Sequence, residues 1–536
     1  MSSEPALRMG QPAPAGYYQN NLIVAFRFVL QRYRATLPAS YALSLDEYLA
    51  ASGDGQRLLA RLLTRKGPYF LRAGLEYSEI DSTDRALTEL TERGLLCREP
   101  GPADLLLRRI TKQSLFECFH LPKLLRAQPK AMVIEHILGQ YNDQAICRRL
   151  LVHAPWVRLK HPEHWQLARF LFFGTTNQDW STLVLKDLGH TRYESMPLKQ
   201  PQYTDAHALN FRLTVQQLQR ASYRLDEYPL LADGLLISLK PMIEKNKKDS
   251  RLQRCAVRLG HWAERNQYFD LALEAYGLAE MPPARERRVR ILHRLGRTIE
   301  ANALHKAMRA CPRSAKEAVF AERFGRRNAG FQPIISEMEI AGCFDSVEQY
   351  ALTKLLKPGG WGLHCENTLF KSFAGLLYWP VIFADVDGAF TNPFQAAPHD
   401  LFEEAFCHRR QSLLAKHERR LADDEAFVAM LSDTLKQKHG IANRLVNWSL
   451  FETIPLHEWL KAMPINVIRL VAAFLIRNLN DYRTGFPDLF LCHGFHDFEF
   501  VEVKGPGDQL QPQQRAWLKQ LATMDLPARI LKLHKP

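Results

Sequence analysis

Residues 486–505 read FPDLFLCHGFHDFEFVEVKG, and this stretch decides the C-terminal fold. It predicts strand, turn, strand: Phe498, Glu499, Phe500 and Val501 run in near alternation, and His493–Asp497 supply the connection. Pro487-Asp488 opens the first strand, and Glu502-Val503-Lys504 follows fourteen positions later on the second. Side chains alternate along a strand, so Glu502 and Lys504 share a face, and a hairpin brings Asp488 to it. Two carboxylates and an ammonium converging on one face are unfavourable without a ligand. A divalent ion held by oxygen donors would offset that cost. A helix from Pro512 to Leu521 follows, with Pro512 at its start and Gln514 in its first turn.

Written P-D…E-x-K, the arrangement resembles the PD-(D/E)xK nuclease pattern, with Glu502 in the second acidic position. Phosphodiester hydrolysis needs the phosphate charge neutralised, a water made nucleophilic and the leaving oxygen stabilised. Asp488 and Glu502 would hold Mg2+ or Mn2+, with the Val503 carbonyl as a further ligand. Lys504 would orient or help deprotonate the water, or stabilise the charged transition state. Gln514 would lean over the site and position Lys504 or the water. The plainer reading of the same residues is a turn aspartate and a surface Glu–Lys pair on an edge strand.

Outward from this stretch, the 536 residues suffice for three or four domains. Hydrophobic residues make up 46% and charged residues 24%, which excludes a largely disordered chain. Lys+Arg 71 against Asp+Glu 57 gives a net charge of +14, which suits a polyanionic partner such as nucleic acid. The nine cysteines are scattered and form no C-x-x-C, so neither a disulfide framework nor a zinc finger is expected. The polar N-terminus lacks a signal-peptide core, and the apolar run Val467–Ile476 is too short to span a bilayer and is broken by Arg469. A cytoplasmic, nucleoid-associated protein is expected. Neither a P-loop nor a convincing dinucleotide fingerprint is present, so an ATP-driven motor or a dinucleotide enzyme has no support.

The expected fold is multi-domain and mostly α. Residues 1–103 read as a helical, winged-helix-like DNA-binding region: Ser82-Thr83-Asp84 look like an N-cap, the helix runs to Arg93, and Gly94 stops it. Residues 104–152 resemble a SAP-type helix–extended–helix module, with Lys112, Lys123, Arg126 and Lys130 as candidate phosphate contacts and Lys66 as another in the region before it. From 153 to 355 the chain reads as helices throughout. Its informative part is LGHWAERNQYFDLALEAYGLAEMPP (259–283), where small residues alternate with Phe269 and Tyr276, as in a tetratricopeptide (TPR)-type helical hairpin and solenoid. After Lys357-Pro358-Gly359-Gly360 the character changes, and 356–536 reads as an α/β nuclease domain with a helical insertion.

The C-terminal stretch resembles the virus-type replication-repair nuclease (VRR-NUC) domain. The whole chain resembles the Fanconi-associated nuclease family, on LLTRKGPYFLRAGLEYSEI (62–80), LTERGLL (90–96), the SAP-like segment Leu105–Leu138 and HCENTLFKSFAGLLYWPVIFADVDGAFTNPFQAAPHDL (364–401). The resemblance implies a further metal ligand, Glu366, at the start of a helix, beside Asp488, Glu502, Lys504 and Gln514. It also implies two Mg2+ or Mn2+ ions, a phosphodiesterase I-type chemistry, and a 5′-flap endonuclease and 5′→3′ exonuclease acting on branched or flapped double-stranded DNA in crosslink repair. The Asp488–Glu502 interval is one residue shorter than the family's, a difference the hairpin tip can absorb. No ubiquitin-binding finger is expected, and the compact layout resembles bacterial members.

Two other readings compete: a Holliday-junction-type resolvase, disfavoured by the long N-terminal part, and a non-catalytic scaffold for branched DNA. Elsewhere the residues read plainly. His493 and His496 are expected to be solvated at the hairpin tip, Trp361 and Trp379 to be core, Lys245, Lys247 and Lys248 to be a solvated loop, and Asp423-Asp424-Glu425 to cap a helix.

Overall fold

A computed structural model of the chain describes residues 17–65, 67–174, 180, 192–198, 203, 205–325, 330–340 and 346–534. They form two compact units.

The first unit comprises Met1–Arg192, Pro197–Ala206 and Thr391–Phe394. Helices Tyr17–Tyr33, Ala39–Ala50 and Gly53–Thr64 precede strand β1 (Tyr69–Leu71), helix Thr83–Glu92 and strand β2 (Leu96–Cys97). Ser82 caps the helix Thr83–Glu92, its side chain accepting the Arg85 N–H, and Gly94 ends it at φ 69°. That position lies in the left-handed region, where glycine carries no Cβ penalty. Four short helices follow: Ala103–Leu107, Lys112–Phe119, Lys130–Gln140 and Asp143–His153. Then comes a strand where the sequence reading expects helix: β3 (Trp156–Leu159) lies between β1 and β2, antiparallel to both. Trp156 explains the placement. Its ring is buried among Leu106, Leu115, Val133 and Leu150 of the four helices, and its indole N–H donates to the Cys147 carbonyl at 3.2 Å. The small sheet and the SAP-like helices thus share one core, and the sheet is complete only at Leu159.

The second unit comprises Tyr193–Met196, His207–Phe390 and Gln395–Pro536. Its helical part includes the pairs Ser250–Arg265 with Phe269–Gly277 and Ala284–Arg294 with Thr298–Ala310. The first pair closes tightly because of Gly260. A Cβ there would stand 2.7 Å from the Tyr276 ring, which packs across it.

The remainder of this unit is built on a five-stranded sheet, β4 (Ile335–Glu339), β5 (Trp361–His364), β6 (Leu489–Gly494), β7 (Asp497–Lys504) and β8 (Ala528–His534), in the order β4-β8-β7-β6-β5. The pairs β4–β8 and β7–β8 are parallel; β6–β7 and β5–β6 are antiparallel. Strand alternation sorts the two faces. Phe490, Phe498 and Phe500 pack with Phe370, Phe373, Trp459, Ile468 and Trp517. Leu489, Leu491, Val501 and Val503 pack with Ala351 and Leu352 of the helix Val347–Leu355. Here the reading of helices from 153 to 355 fails a second time. Ile335–Glu339 is an edge strand, and its alternating exposure, with Ile335 half exposed, hides it from a search for buried apolar runs. The sheet therefore reaches back past 356. Six helices from Ala405–Arg409 to Ile465–Arg477 are inserted between β5 and β6. No single helix among the described residues is long and apolar enough to cross a membrane.

Candidate functional site

Strand register gathers the carboxylates. Leu489 pairs with Val501, so Asp488, one position further out, lies across from Glu502. Asp488 Oδ2 accepts the Val503 main-chain N–H at 2.8 Å. The Asp488 carbonyl accepts the Cys365 N–H, also at 2.8 Å. This second bond joins the end of β5 to the start of β6 and carries Glu366, the next residue, to the same corner. Glu366 sits in the turn between β5 and the helix Leu369–Leu377, not in the helix as expected. Asn367 holds that turn at φ 53°, a left-handed conformation that asparagine tolerates better than most residues. Its amide Nδ2 donates to Glu366 Oε1 at 2.7 Å, and its Oδ1 accepts the Phe486 N–H at 3.1 Å.

One donor atom from each of His364, Glu366 and Asp488 lies within 4.8 Å of the other two. Glu502 lies alongside. It is fully buried, and neither of its carboxylate oxygens has a hydrogen bond. Lys504 Nζ stands 2.8 Å from Glu502 Oε1, close enough for an ion pair but off hydrogen-bond alignment. Burial pushes the Glu502 carboxyl up to about 8, reinforced by the charge of Asp488 and opposed by Lys504. Burial likewise raises Asp488 to about 6, against the Val503 N–H and Lys504. Two carboxyls held above their usual range beside a single ammonium are short of positive charge. A divalent cation supplies it and reverses both shifts, so the donor set fits such an ion.

The other expected residues fall differently. Val503 is buried in β7, where its amide positions Asp488. Gln514 caps its own helix: its Oε1 accepts the Gln511 N–H at 2.9 Å in a capping box. The expected lean over Lys504 is therefore replaced by a bond that fixes the helix start. Lys112 donates to the Arg126 and Gln128 carbonyls at 2.7 and 2.6 Å, and Lys130 to the Arg108 carbonyl at 2.7 Å. Both tie the SAP-like loops together. Lys123 and Arg126 are exposed, with the Arg126 guanidinium 5.6 Å from the Phe116 ring centre. Lys66 lies outside the described residues. His493 is not solvated as expected: its side chain is 6% exposed and its Nε2 lies 3.2 Å from Glu499 Oε1. His496 is exposed, at φ 55°.

Two residues near the corner went unnoticed in the sequence. His364 ends β5, and its signal was an imidazole two positions before Glu366. Glu348 lies in the helix Val347–Leu355; burial raises its carboxyl, but the Ser346 hydroxyl and the charges of His364 and Lys504 bring it below the usual range.

Residues 422–534 match the VRR-NUC domain model, a span that includes Asp488, Glu502 and Lys504 but not His364 or Glu366. Residues 16–97 match the model of the FAN1 HTH domain. A Fanconi-associated nuclease 1 homolog of Pseudomonas aeruginosa is 28% identical, over 96% of this chain and 95% of the relative. The Arabidopsis thaliana homolog is 26% identical over 98% of this chain and 68% of its own length. The chain is also similar to paFAN1 in a crystal structure bound to 2nt 5′ flap DNA with gap, at TM-score 0.83 and 27% identity, covering 98% of this chain and 99% of that one. Both domain matches and the full-length similarity agree: the chain carries a FAN1 HTH domain and a VRR-NUC domain, and it is similar from end to end to the Fanconi-associated nucleases.

Proposed function

We propose that this chain is a structure-selective, metal-dependent DNA nuclease that cuts 5′ flaps endonucleolytically, degrades 5′→3′ in short steps and serves interstrand-crosslink repair. The observation that carries the reading is the meeting of Glu366, Asp488 and Glu502, from three separate segments, with Lys504 beside them. The similar protein caught on 5′-flap DNA supports the substrate class and disfavours both a junction resolvase and an inert scaffold.

Glu366, Asp488 and Glu502 are the residues that would hold Mg2+ or Mn2+, with the Val503 carbonyl as a further oxygen donor and two ions as the expected number. When bound, such an ion neutralises the scissile phosphate and acidifies a water. The chain's own part is positional. The Val503 amide fixes the Asp488 carboxylate, and Asn367 holds Glu366. Lys504 presents its ammonium where negative charge grows on the phosphate as water attacks phosphorus and the ester oxygen departs. The products follow phosphodiesterase I-type chemistry. The net charge of +14 draws in DNA through the backbone, without reading sequence. Exposed Lys123 and Arg126 of the SAP-like helices are the phosphate contacts we favour. Such a protein works on the nucleoid, in the cytoplasm.

The test is cleavage of an end-labelled 5′-flap duplex and of a four-way junction, each with Mn2+ and with EDTA. Flap cleavage that needs Mn2+ and exceeds junction cleavage supports the reading. Cleavage that survives EDTA, or that prefers the junction, overturns it.

A further inference from the structure

We propose that His364 is a ligand of the divalent ion in this site, giving one imidazole nitrogen among the carboxylate oxygens, and that it shifts the site's preference from Mg2+ toward Mn2+. The inference rests on the metal-nuclease reading above and concerns a residue outside the Glu–Asp–Glu–Lys set.

A ring nitrogen of His364 lies within 4.8 Å of donor oxygens of both Glu366 and Asp488. Ligands about 2.1–2.3 Å from a common ion sit about 3–4.5 Å from one another, so a small side-chain rotation closes the gap. The backbone at this point is fixed. His364 pairs with Leu489, and the next residue, Cys365, donates to the Asp488 carbonyl at 2.8 Å. Sheet pairing thus holds the backbone that carries the imidazole beside Asp488.

The ring is also available. His364 is exposed, and among the described residues neither of its nitrogens has a hydrogen-bond partner. A histidine that served only to hold β5 in place would be expected to spend a nitrogen on a carbonyl or a carboxylate, as His417 does on the Leu377 carbonyl at 2.7 Å. A second, independent observation points to a cation at this corner. Glu502 is fully buried and both of its oxygens lack hydrogen bonds; the single ammonium of Lys504, 2.8 Å from Oε1, faces the charges of Glu502, Asp488 and Glu366 together.

Glu348 completes the arrangement from outside. Its helix packs on β5, β6 and β7. The residue before it, Val347, approaches to 3.4 Å of the place a Cβ on Gly505 would take, next to Lys504. Its carboxylate interacts with the charges of His364 and Lys504, and the Ser346 hydroxyl donates to its Oε2 at 2.5 Å. There it adds negative charge beside the imidazole, which favours a cation at this corner.

The consequence is selectivity. Mg2+ asks for oxygen donors in a near-ideal octahedron and gives up water reluctantly. Mn2+ accepts the same oxygens and tolerates an imidazole.

Electron spin-echo modulation of Mn2+ bound to the full chain reads the ligand directly. The wild-type protein is expected to show nitrogen modulation from a coordinated imidazole. His364→Gln, a change at an exposed position, is expected to keep the wild-type Tm, to lose the modulation and to bind Mn2+ about tenfold more weakly, while Mg2+ affinity, measured by competition, changes little. Wild-type Mn2+ without nitrogen modulation, or modulation unchanged in His364→Gln, overturns the proposal. Asp488→Ala is the control for the site itself. If it binds Mn2+ as wild type does, the metal reading of the whole corner falls; if it loses Mn2+ while His364→Gln is silent, only the histidine's role falls.

Discussion

Asp488 is tied to Val503 across the hairpin: the Val503 N–H points at Asp488 Oδ2 from 2.8 Å. One strand therefore aims the carboxylate of the other, and the same stretch of β7 presents Glu502 and Lys504 on either side of the residue that does the aiming. The carboxylate position is set by sheet register and not by a flexible loop.

In the proposed reaction Lys504 acts on charge that develops during cleavage. Lys504→Ala is expected to lower single-turnover flap cleavage by about 10²–10³, the usual cost of losing one such stabilising group. Flap affinity, measured by anisotropy, should stay near wild type. A comparable loss of affinity would make Lys504 a DNA-binding residue instead.

The metal-free protein should show the raised carboxyls in its stability. Asp488 and Glu502 titrate near 6 and 8 when folded, above their ordinary values of 3.8 and 4.5. Between those limits the folded state holds protons that the unfolded chain has released, so stability falls as pH rises through the window. In EDTA, Tm is expected to drop from pH 5.5 to pH 8.5 (about the span of the raised values), and Glu502→Gln should flatten part of that drop. Mn2+ at the upper pH should raise Tm by binding only the folded state. A wild-type slope that Glu502→Gln leaves unchanged would contradict the burial argument.

The lysines of the SAP-like helices divide into two kinds. Lys112→Ala and Lys130→Ala remove bonds to carbonyls of neighbouring loops, and each should cost about 1 kcal/mol of stability. Lys123→Ala and Arg126→Ala should leave Tm alone, weaken flap binding and reduce its salt slope by about one each. Thermal melts beside salt titrations separate the two kinds. Equal salt slopes in all four variants would remove the distinction.

Asn367 should matter to Glu366 more than to the fold. Asn367→Gly keeps the left-handed turn and loses both side-chain bonds. Mn2+ affinity is expected to fall about tenfold, as for other groups that orient a ligand, with a small change in Tm. A variant that binds Mn2+ like wild type would leave Asn367 a turn residue only.

Much of this site was legible in the sequence, and the limits are physical. Asp488, Glu502 and Lys504 could be placed together because a period of two and a short connection fix a hairpin. Glu366 lies far away in the chain, and no local pattern links it to the hairpin; only resemblance singles it out, and the turn it occupies reads in sequence as a helix start. His364 was missed because β5 is four residues long and half buried, too short for alternation to show. Strands β3 and β4 were absorbed into helical stretches for similar reasons: one is anchored by a single tryptophan, the other is a half-exposed edge. Lys112 and Lys130 looked like solvent-facing cations because sequence shows charge and not the carbonyls that a fold brings within reach. Gln514 looked like a site residue because a helix start near Lys504 can serve either the site or itself.

The most direct measurement is single-turnover cleavage of a labelled 5′-flap duplex by Asp488→Asn in Mn2+, alongside flap binding by the same protein. The change is nearly isosteric and removes a charged donor from the corner. Binding near wild type with cleavage lost is the predicted result; cleavage at the wild-type rate would mean that phosphodiester hydrolysis takes place somewhere other than this cluster of carboxylates.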